Sequence, residues 1–168
     1  MERQVFRAVD SNDRSGYFLM PNGGFETGAN EWQLRGGAAV VTGNNTVLPG
    51  GTRSLRIPNG AVAQSRTICV GRGEEAVRLV VENPGVPGAI LHVQVIVQTI
   101  PAGGAVSLAA FDVNGDPSRT GWRPTPRMTF GAMLNGNGQQ ALTIRFSTRG
   151  TPATWRIDDV YVDPFKPY

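Results

Sequence analysis

The sequence predicts an all-β protein, a two-sheet antiparallel β-sandwich of the jelly-roll type. Three observations carry this expectation. Short apolar runs recur along the chain, and several alternate cleanly with polar residues. Clusters of turn-forming residues separate the runs at roughly the spacing of a sandwich or barrel. Nothing repeats at helical period over a useful length. The 168 residues include 22 Gly and 12 Pro, and these fall between the runs, where the turns of many short strands need them.

Taken in order, residues 1–16 are polar and charged and are expected to form an N-terminal arm with little core of its own. Residues 17–168 are expected to form one sandwich domain, which the length is sufficient to fill with a core. Strand-like runs cover 17–20, 32–41, 54–57, 61–70, 76–81, 90–99, 106–113, 127–134, 141–147 and 154–162. Between them lie Pro21-Asn22-Gly23-Gly24, Gly43-Asn44-Asn45, Pro49-Gly50-Gly51, Pro58-Asn59-Gly60, Asn83-Pro84-Gly85, Asn114-Gly115-Asp116-Pro117, Asn135-Gly136-Asn137-Gly138 and Gly150-Thr151-Pro152. Each cluster tolerates positive φ or fixes a turn.

The alternation assigns faces. In 91–98, Leu91, Val93, Val95 and Val97 share one face, and His92, Gln94 and Gln98 share the other. In 142–147, Leu142, Ile144 and Phe146 oppose Thr143, Arg145 and Ser147. Val77, Leu79 and Val81 oppose Arg78 and Glu82. One face of each sheet is therefore expected to be buried and the other solvated.

Composition excludes several functions. The net charge is +3, carried by 15 Arg and the single Lys166. The arginines are scattered, with no basic run and no adjacent aromatic stacking motif, so a nucleic-acid surface is not expected. Cys69 is the only cysteine; no intrachain disulfide can form, and its apolar run predicts a buried, inert thiol. One Cys and one His build no zinc site. No stretch of 18 apolar residues offers a membrane span. The N-terminus lacks the apolar region of a signal peptide, so either the protein stays in its producer's cytoplasm or a signal has been removed.

Catalysis is not expected. The sole histidine, His92, lies mid-strand without a nucleophile elbow, and the Gly-rich segments follow strands but open no helix. The acids form no paired cleft motif, only Glu74-Glu75 and Asp158-Asp159. On a regular strand, Asp158 and Asp159 point to opposite faces. One of them is then costly unless it finds a cation, an arginine or a calcium ion, or hydrogen bonds.

The opening Asn22-Gly23-Gly24-Phe25-Glu26, the following Trp32, the middle segment Gly51-Thr52-Arg53-Ser54-Leu55 and the ending Trp155-x-Ile157-Asp158-Asp159-Val160 resemble calcium-containing jelly-roll carbohydrate-binding modules of the galactose-binding-like fold. The resemblance spans about residues 21–162. The chain is similar still more closely to a group of secreted bacterial proteins. These share the Asn-Gly-Gly-Phe-Glu opening, the Ile68–Gly71 and 122–126 segments and the 155–164 ending, and no function carries over from them. The resemblance implies a structural calcium joining the first and last strands, held by Glu26, Asp158 and a backbone carbonyl near Thr52. The alternative is that Glu26 and Asp158 serve as partners for Arg53, Arg56 or backbone amides.

It also implies a non-catalytic carbohydrate-binding role, with a secreted or cell-surface location. Sugars would stack on exposed aromatics and bond to amides and arginines across a concave sheet. Arg78, His92, Gln94, Gln98 and Arg145 are the candidate ligand-binding residues, with Trp122 or Tyr161 at the margin; Trp32 and Trp155 read as core anchors. A plain solvated sheet would show the same polar face. The second reading is a structural subunit of a surface layer, filament or virion that assembles into homo-oligomers. Its contacts would be the arm and the tail 164–168, through Phe6, Phe165 and Tyr168.

Overall fold

The computed structural model describes residues 2–3, 6, 16–44, 50–71, 76–99, 104–130 and 139–163. It contains fourteen strands: β1 (Glu2–Arg3), β2 (Gly16–Leu19), β3 (Trp32–Arg35), β4 (Ala39–Thr42), β5 (Arg53–Ile57), β6 (Val62–Ser65), β7 (Ile68–Gly71), β8 (Ala76–Asn83), β9 (Ala89–Thr99), β10 (Gly104–Asn114), β11 (Gly121–Pro124), β12 (Met128–Thr129), β13 (Gln139–Gly150) and β14 (Trp155–Asp163). A single 3₁₀ turn, Pro117–Arg119, is the only helical element among the described residues. The expected all-β sandwich is therefore the observed one.

All pairings are antiparallel, in two sheets. One runs β1-β2-β14-β5-β4, with β8 on the far edge of β14 and β11 and β12 beyond β8. The other runs β10-β9-β13-β6-β3, with β7 continuing beside β13. Two predicted runs are broken. Residues 32–41 split at Gly36 and Gly37, both at positive φ (66° and 85°). That turn lets β3 join one sheet and β4 the other. Residues 61–70 split into β6 and β7, which pair with successive stretches of β13. Strand β11, outside the predicted strand-like runs, is paired with β8 throughout.

The inward faces follow the predicted alternation. Leu91, Val93, Val95, Leu142, Ile144 and Phe146 from one sheet meet Val77, Leu79, Leu55, Ile57, Trp155 and Ile157 from the other, and all are buried. Trp32 stacks on Phe146 with ring centroids 5.6 Å apart, and Phe25 packs against Trp32 at 5.2 Å. Both Trp32 and Trp155 are thus core anchors, as expected. Each large side chain buried in this way contributes roughly 1.5–3 kcal/mol.

Three expectations need correction. First, Cys69 is exposed. Ile68 and Val70 take the inward positions of β7, so the period of two leaves the thiol outside. Second, Arg78 is buried at 5% exposure. Strand β8 is covered on both faces, because Phe6, Tyr17, Val80 and Tyr161 form a second apolar cluster on its outer side, with Trp122 packed against them. The Arg78 guanidinium lies 5.0 Å from the Phe6 ring centroid and 5.9 Å from that of Tyr17, a cation–π arrangement. Third, Phe6 does not project toward a neighbouring subunit; it is 1% exposed and packs edge-on against Tyr17 and Tyr161. Strand β1 pairs with β2, so the described part of 1–16 belongs to the sandwich. Phe165 and Tyr168 lie outside the described residues.

If Phe6 closes this cluster, Phe6→Ala should cost about 3–5 kcal/mol, the usual range for a buried Phe. Urea unfolding followed by tryptophan fluorescence measures it; a loss under about 1 kcal/mol would mean the N-terminal segment is only draped on the surface.

Candidate functional site

Two places gather polar side chains. The first is the corner where the Asn22–Glu26 segment meets β14. Asn22 organises it: Nδ2 donates to the carbonyls of Gly28 (2.8 Å) and Asn30 (2.7 Å), Oδ1 accepts from the Thr27 amide, and its carbonyl accepts from Trp32 Nε1. Asn22 and Phe25 sit at positive φ (51° and 57°), which a non-glycine residue adopts only when its surroundings hold it there. The segment is tied to β14 by two backbone bonds, Met20 N to Val160 O (2.9 Å) and Val160 N to Gly23 O (3.1 Å). A Cβ on Gly23 would lie 2.7 Å from Val160 O, so only glycine admits this approach.

This clamp brings Glu26 to the β5 end of the sheet. Its carboxylate accepts from the Thr52 amide (2.8 Å), the Thr52 hydroxyl (2.9 Å) and the Arg53 amide (2.9 Å). Its slight burial pushes the carboxyl up, but those bonds and the charge of Arg53 outweigh this and hold it below the usual range. Asp158 lies beside it. A Cβ built on Gly51 would be 3.3 Å from Glu26 Oε1 and 3.5 Å from Asp158 Oδ2. Asp158 is 1% exposed; its Oδ2 accepts from the Asn44 side-chain amide, and its Oδ1 has no hydrogen-bond partner. Burial, then the neighbouring Asp159 charge, and also Glu26, push its pKa up to about 7, against the bonds from the Asp159 amide and Asn44.

The acids do not point to opposite faces, as a regular strand would require. Asp158 pairs with Val80 and Tyr161 with Arg78, so one extra residue is inserted in β14. At this bulge Asp159 takes φ 47°, and both Oδ1 atoms come within 4 Å of where a Gly24 Cβ would stand. The bulge turns both carboxylates to one side.

No arginine bonds to Asp158 among the described residues. Arg156, two residues before it, is committed to Ser54 Oγ (3.0 and 2.6 Å) and Glu82 (3.6 Å), beneath the Trp122 ring. An all-oxygen corner with a buried, unbonded carboxylate oxygen fits a hard divalent cation such as calcium. Among the described residues no three acidic, histidine or cysteine side chains form a cage by themselves, so carbonyl and water oxygens would have to complete the shell. The Thr52 carbonyl, expected as a ligand, accepts from the Gly43 amide at 3.0 Å.

The second place is the outer face of the six-stranded sheet. Register aligns Gln33, Gln64, Arg145 and Gln94 in one row across β3, β6, β13 and β9. The next row holds Arg35, Val62, Ser147, His92 and Asp112. Gln33, Arg35, Val62, Gln64 and Arg145 line a cleft of about 360 Å³, at the small end of ligand-binding clefts. No aromatic side chain stands in these rows. At one edge, His92 Nδ1 lies 2.7 Å from Asp112 Oδ1, and Arg149 Nη2 contacts both Asp112 oxygens at 2.8 and 2.6 Å. Burial pushes the Asp112 carboxyl up, but bonds from His92 and Arg149 outweigh it and leave it lowered.

Of the predicted ligand-binding residues, His92, Gln94 and Arg145 therefore share one face. Arg78 and Trp122 do not join them: they lie on the outer side of the other sheet, across the core. The side chain of Gln98 lies outside the described ones. Gln33, Arg35, Val62 and Gln64 were missed. The inward positions of Trp32, Leu34 and Ala63 would have flagged these outward ones, but only pairing puts β3 and β6 beside β13.

Comparison with known proteins finds this fold elsewhere. The chain is similar to a family 61 carbohydrate-binding module solved with β-1,4-galactotriose, at 17% identity and a TM-score of 0.52, covering 87% of this chain and 97% of that one. It is similar to part of a xylanase 10B chain from Clostridium thermocellum that carries family 22 carbohydrate-binding and GH10 modules and was solved with xylohexaose, at 19% identity and a TM-score of 0.56, covering 84% of this chain and 28% of that longer one. A third is a family 28 module specific for non-crystalline cellulose, at 14% identity and a TM-score of 0.55, covering 85% and 93%. No family model and no curated protein matches the sequence. The chain has the β-sandwich fold of carbohydrate-binding modules. No helix among the described residues is long and apolar enough to cross a membrane.

The raised pKa of Asp158 gives a signed expectation for the metal-free protein. The folded state holds the Asp158 proton up to about pH 7, whereas the unfolded chain releases it near the ordinary aspartate value. Stability from this group is then fully present at low pH and lost as pH rises from about 4 through 7. In chelator, the melting temperature of wild type should fall across this window more steeply than that of Asp158→Asn. Equal slopes would mean that Asp158 is already ionised and compensated.

Proposed function

We propose that this chain is a non-catalytic carbohydrate-binding module whose ligand lies in the β3–β6–β13 cleft. The observation that carries this reading is the cleft itself: two glutamine amides and two guanidinium groups converge on one open patch of sheet, with hydrogen-bonding capacity left over. Amides and guanidinium groups are suited to the dense hydroxyls of a glycan. The shared fold with modules solved with oligosaccharides supports the class. Gln94 and His92 extend the same polar face beyond the cleft, and Trp122 and Arg78 take no part. Such a role suits an extracellular or cell-surface protein.

We also read the Glu26–Asp158 corner as a structural calcium site. Glu26 and Asp158 would supply carboxylate oxygens, and the 51–52 backbone a carbonyl. When bound, the cation would neutralise charge that is otherwise buried unpaired, and lock the 22–26 segment to β14. The chain's own contribution is placement: the Gly23–Val160 bonds and the β14 bulge set the acids side by side before any ion arrives.

Affinity gel electrophoresis and calorimetry against galactan, xylan and soluble cellulose test the first reading. Binding to one or more should weaken severalfold in Gln64→Ala, which loses a neutral hydrogen bond, and roughly tenfold or more in Arg145→Ala, which loses a charge-assisted one, with melting temperatures unchanged. Retention of wild type by no polysaccharide would sink it. For the second, calcium at about a hundred times its dissociation constant should raise the melting temperature by about 5–10 °C. Asp158→Asn should abolish the rise; no shift in wild type would remove the calcium from the account.

A further inference from the structure

The cleft has a charge that a neutral glycan leaves unused. Its lining contains Arg35 and Arg145 but no carboxylate. The nearest acid in the neighbouring row, Asp112, is already engaged by His92 and Arg149. Four other arginines on the described surface pair with acids: Arg66 with Glu31 at 2.8 Å, Arg149 with Asp112 at 2.6 Å, Arg119 with Asp116 at 3.5 Å and Arg156 with Glu82 at 3.6 Å. Arg35 and Arg145 make no ion pair among the described residues. Arg145 is half-buried, and its Nε is buried without a hydrogen-bond partner. A partly desolvated cation without an anion is an unfavourable arrangement that a bound anion relieves.

We propose that the glycan held between Arg35 and Arg145 is acidic, a polysaccharide carrying uronate carboxylates. This rests on the carbohydrate-binding reading above and narrows it. The rows carry no aromatic platform on which a neutral sugar ring, or a nucleic-acid base, would stack. Binding must then draw on hydrogen bonds, and those between guanidinium and carboxylate are the strong kind. The planar fork of arginine matches the planar carboxylate in two parallel bonds. Arg35 and Arg145 stand two strand spacings and two residues apart, roughly 12 Å between Cα positions. Side chains rooted that far apart and reaching into one cleft meet separate anionic groups along a chain more readily than one shared group. Gln33 and Gln64, between them, face the hydroxyls.

The test uses the full chain against polygalacturonate, fully methyl-esterified pectin, neutral galactan and xylan, dextran sulfate and a single-stranded DNA oligonucleotide, at low and at physiological salt. Polygalacturonate should bind, and esterification, which removes the charge but keeps the hydroxyls, should weaken binding tenfold or more, about 1.4 kcal/mol. Arg35→Gln and Arg145→Gln should each lose roughly tenfold on polygalacturonate with melting temperature unchanged. Galactan or xylan bound as tightly as polygalacturonate would overturn the acidic assignment and leave the carbohydrate-binding reading standing. Binding to no polysaccharide would end both. Equal binding to dextran sulfate, which carries no carboxylate, or to DNA would show a general attraction for polyanions and overturn the uronate assignment. Unchanged binding in both arginine variants would place the ligand elsewhere on the molecule.

Discussion

Strand β14 is the constraint on which the rest of the molecule depends. It is bonded to three strands of its sheet, to β2 and β5 along one edge and to β8 along the other. Its Trp155, Ile157, Val160 and Val162 are fully buried. Within it the bulge at Asp158–Asp159 interrupts an otherwise regular ladder. Natural sheets seldom place a bulge and a buried acid together at a central strand without use for them. The same few residues receive the Gly23 backbone, so the first loop, the middle segment and the last strand meet at one corner.

The two outer faces of the sandwich are treated oppositely. On the β8 side, Phe6, Tyr17, Tyr161 and Trp122 roof the sheet and enclose Arg78. On the β13 side, no such roof exists among the described residues, and apart from Val62 the outward rows are polar: glutamine, arginine, serine, histidine and aspartate. Burial of both faces of β8 explains why seven of its eight residues are inaccessible, a pattern more usual in parallel sheets. The open polar face is where a ligand can reach, which is why function is assigned there and not to the face bearing the tryptophan.

Charge is distributed by the same logic. Most arginine side chains among the described residues are braced by an acid or a carbonyl, so there they serve mainly as structural bracing. Arg35 and Arg145 in the cleft make no ion pair among the described residues. Glu26 illustrates the complementary case: three donors from Thr52 and Arg53 hold it ionised at the surface, while Asp158, one residue's breadth away across Gly51, is left with an oxygen unbonded.

The segments that meet at the Glu26–Asp158 corner were legible only through the family resemblance, whereas the all-β class, the inward sets of β9 and β13 and the core positions of Trp32 and Trp155 follow from the chain itself. Alternation and turn chemistry are local, and local rules suffice for them. Tertiary structure alone decided the rest. Arg78 read as solvated because alternation marks the face away from the core, not whether Phe6, seventy-two positions earlier, will cover it. Cys69 read as buried because its run is apolar, whereas the pleat turns every second residue outward. Asp158 and Asp159 read as opposed because a bulge has no signature in two adjacent acids. The cleft draws on residues from 33 to 145, brought together by strand pairing, and long-range register is set by packing two sheets, which no single segment encodes.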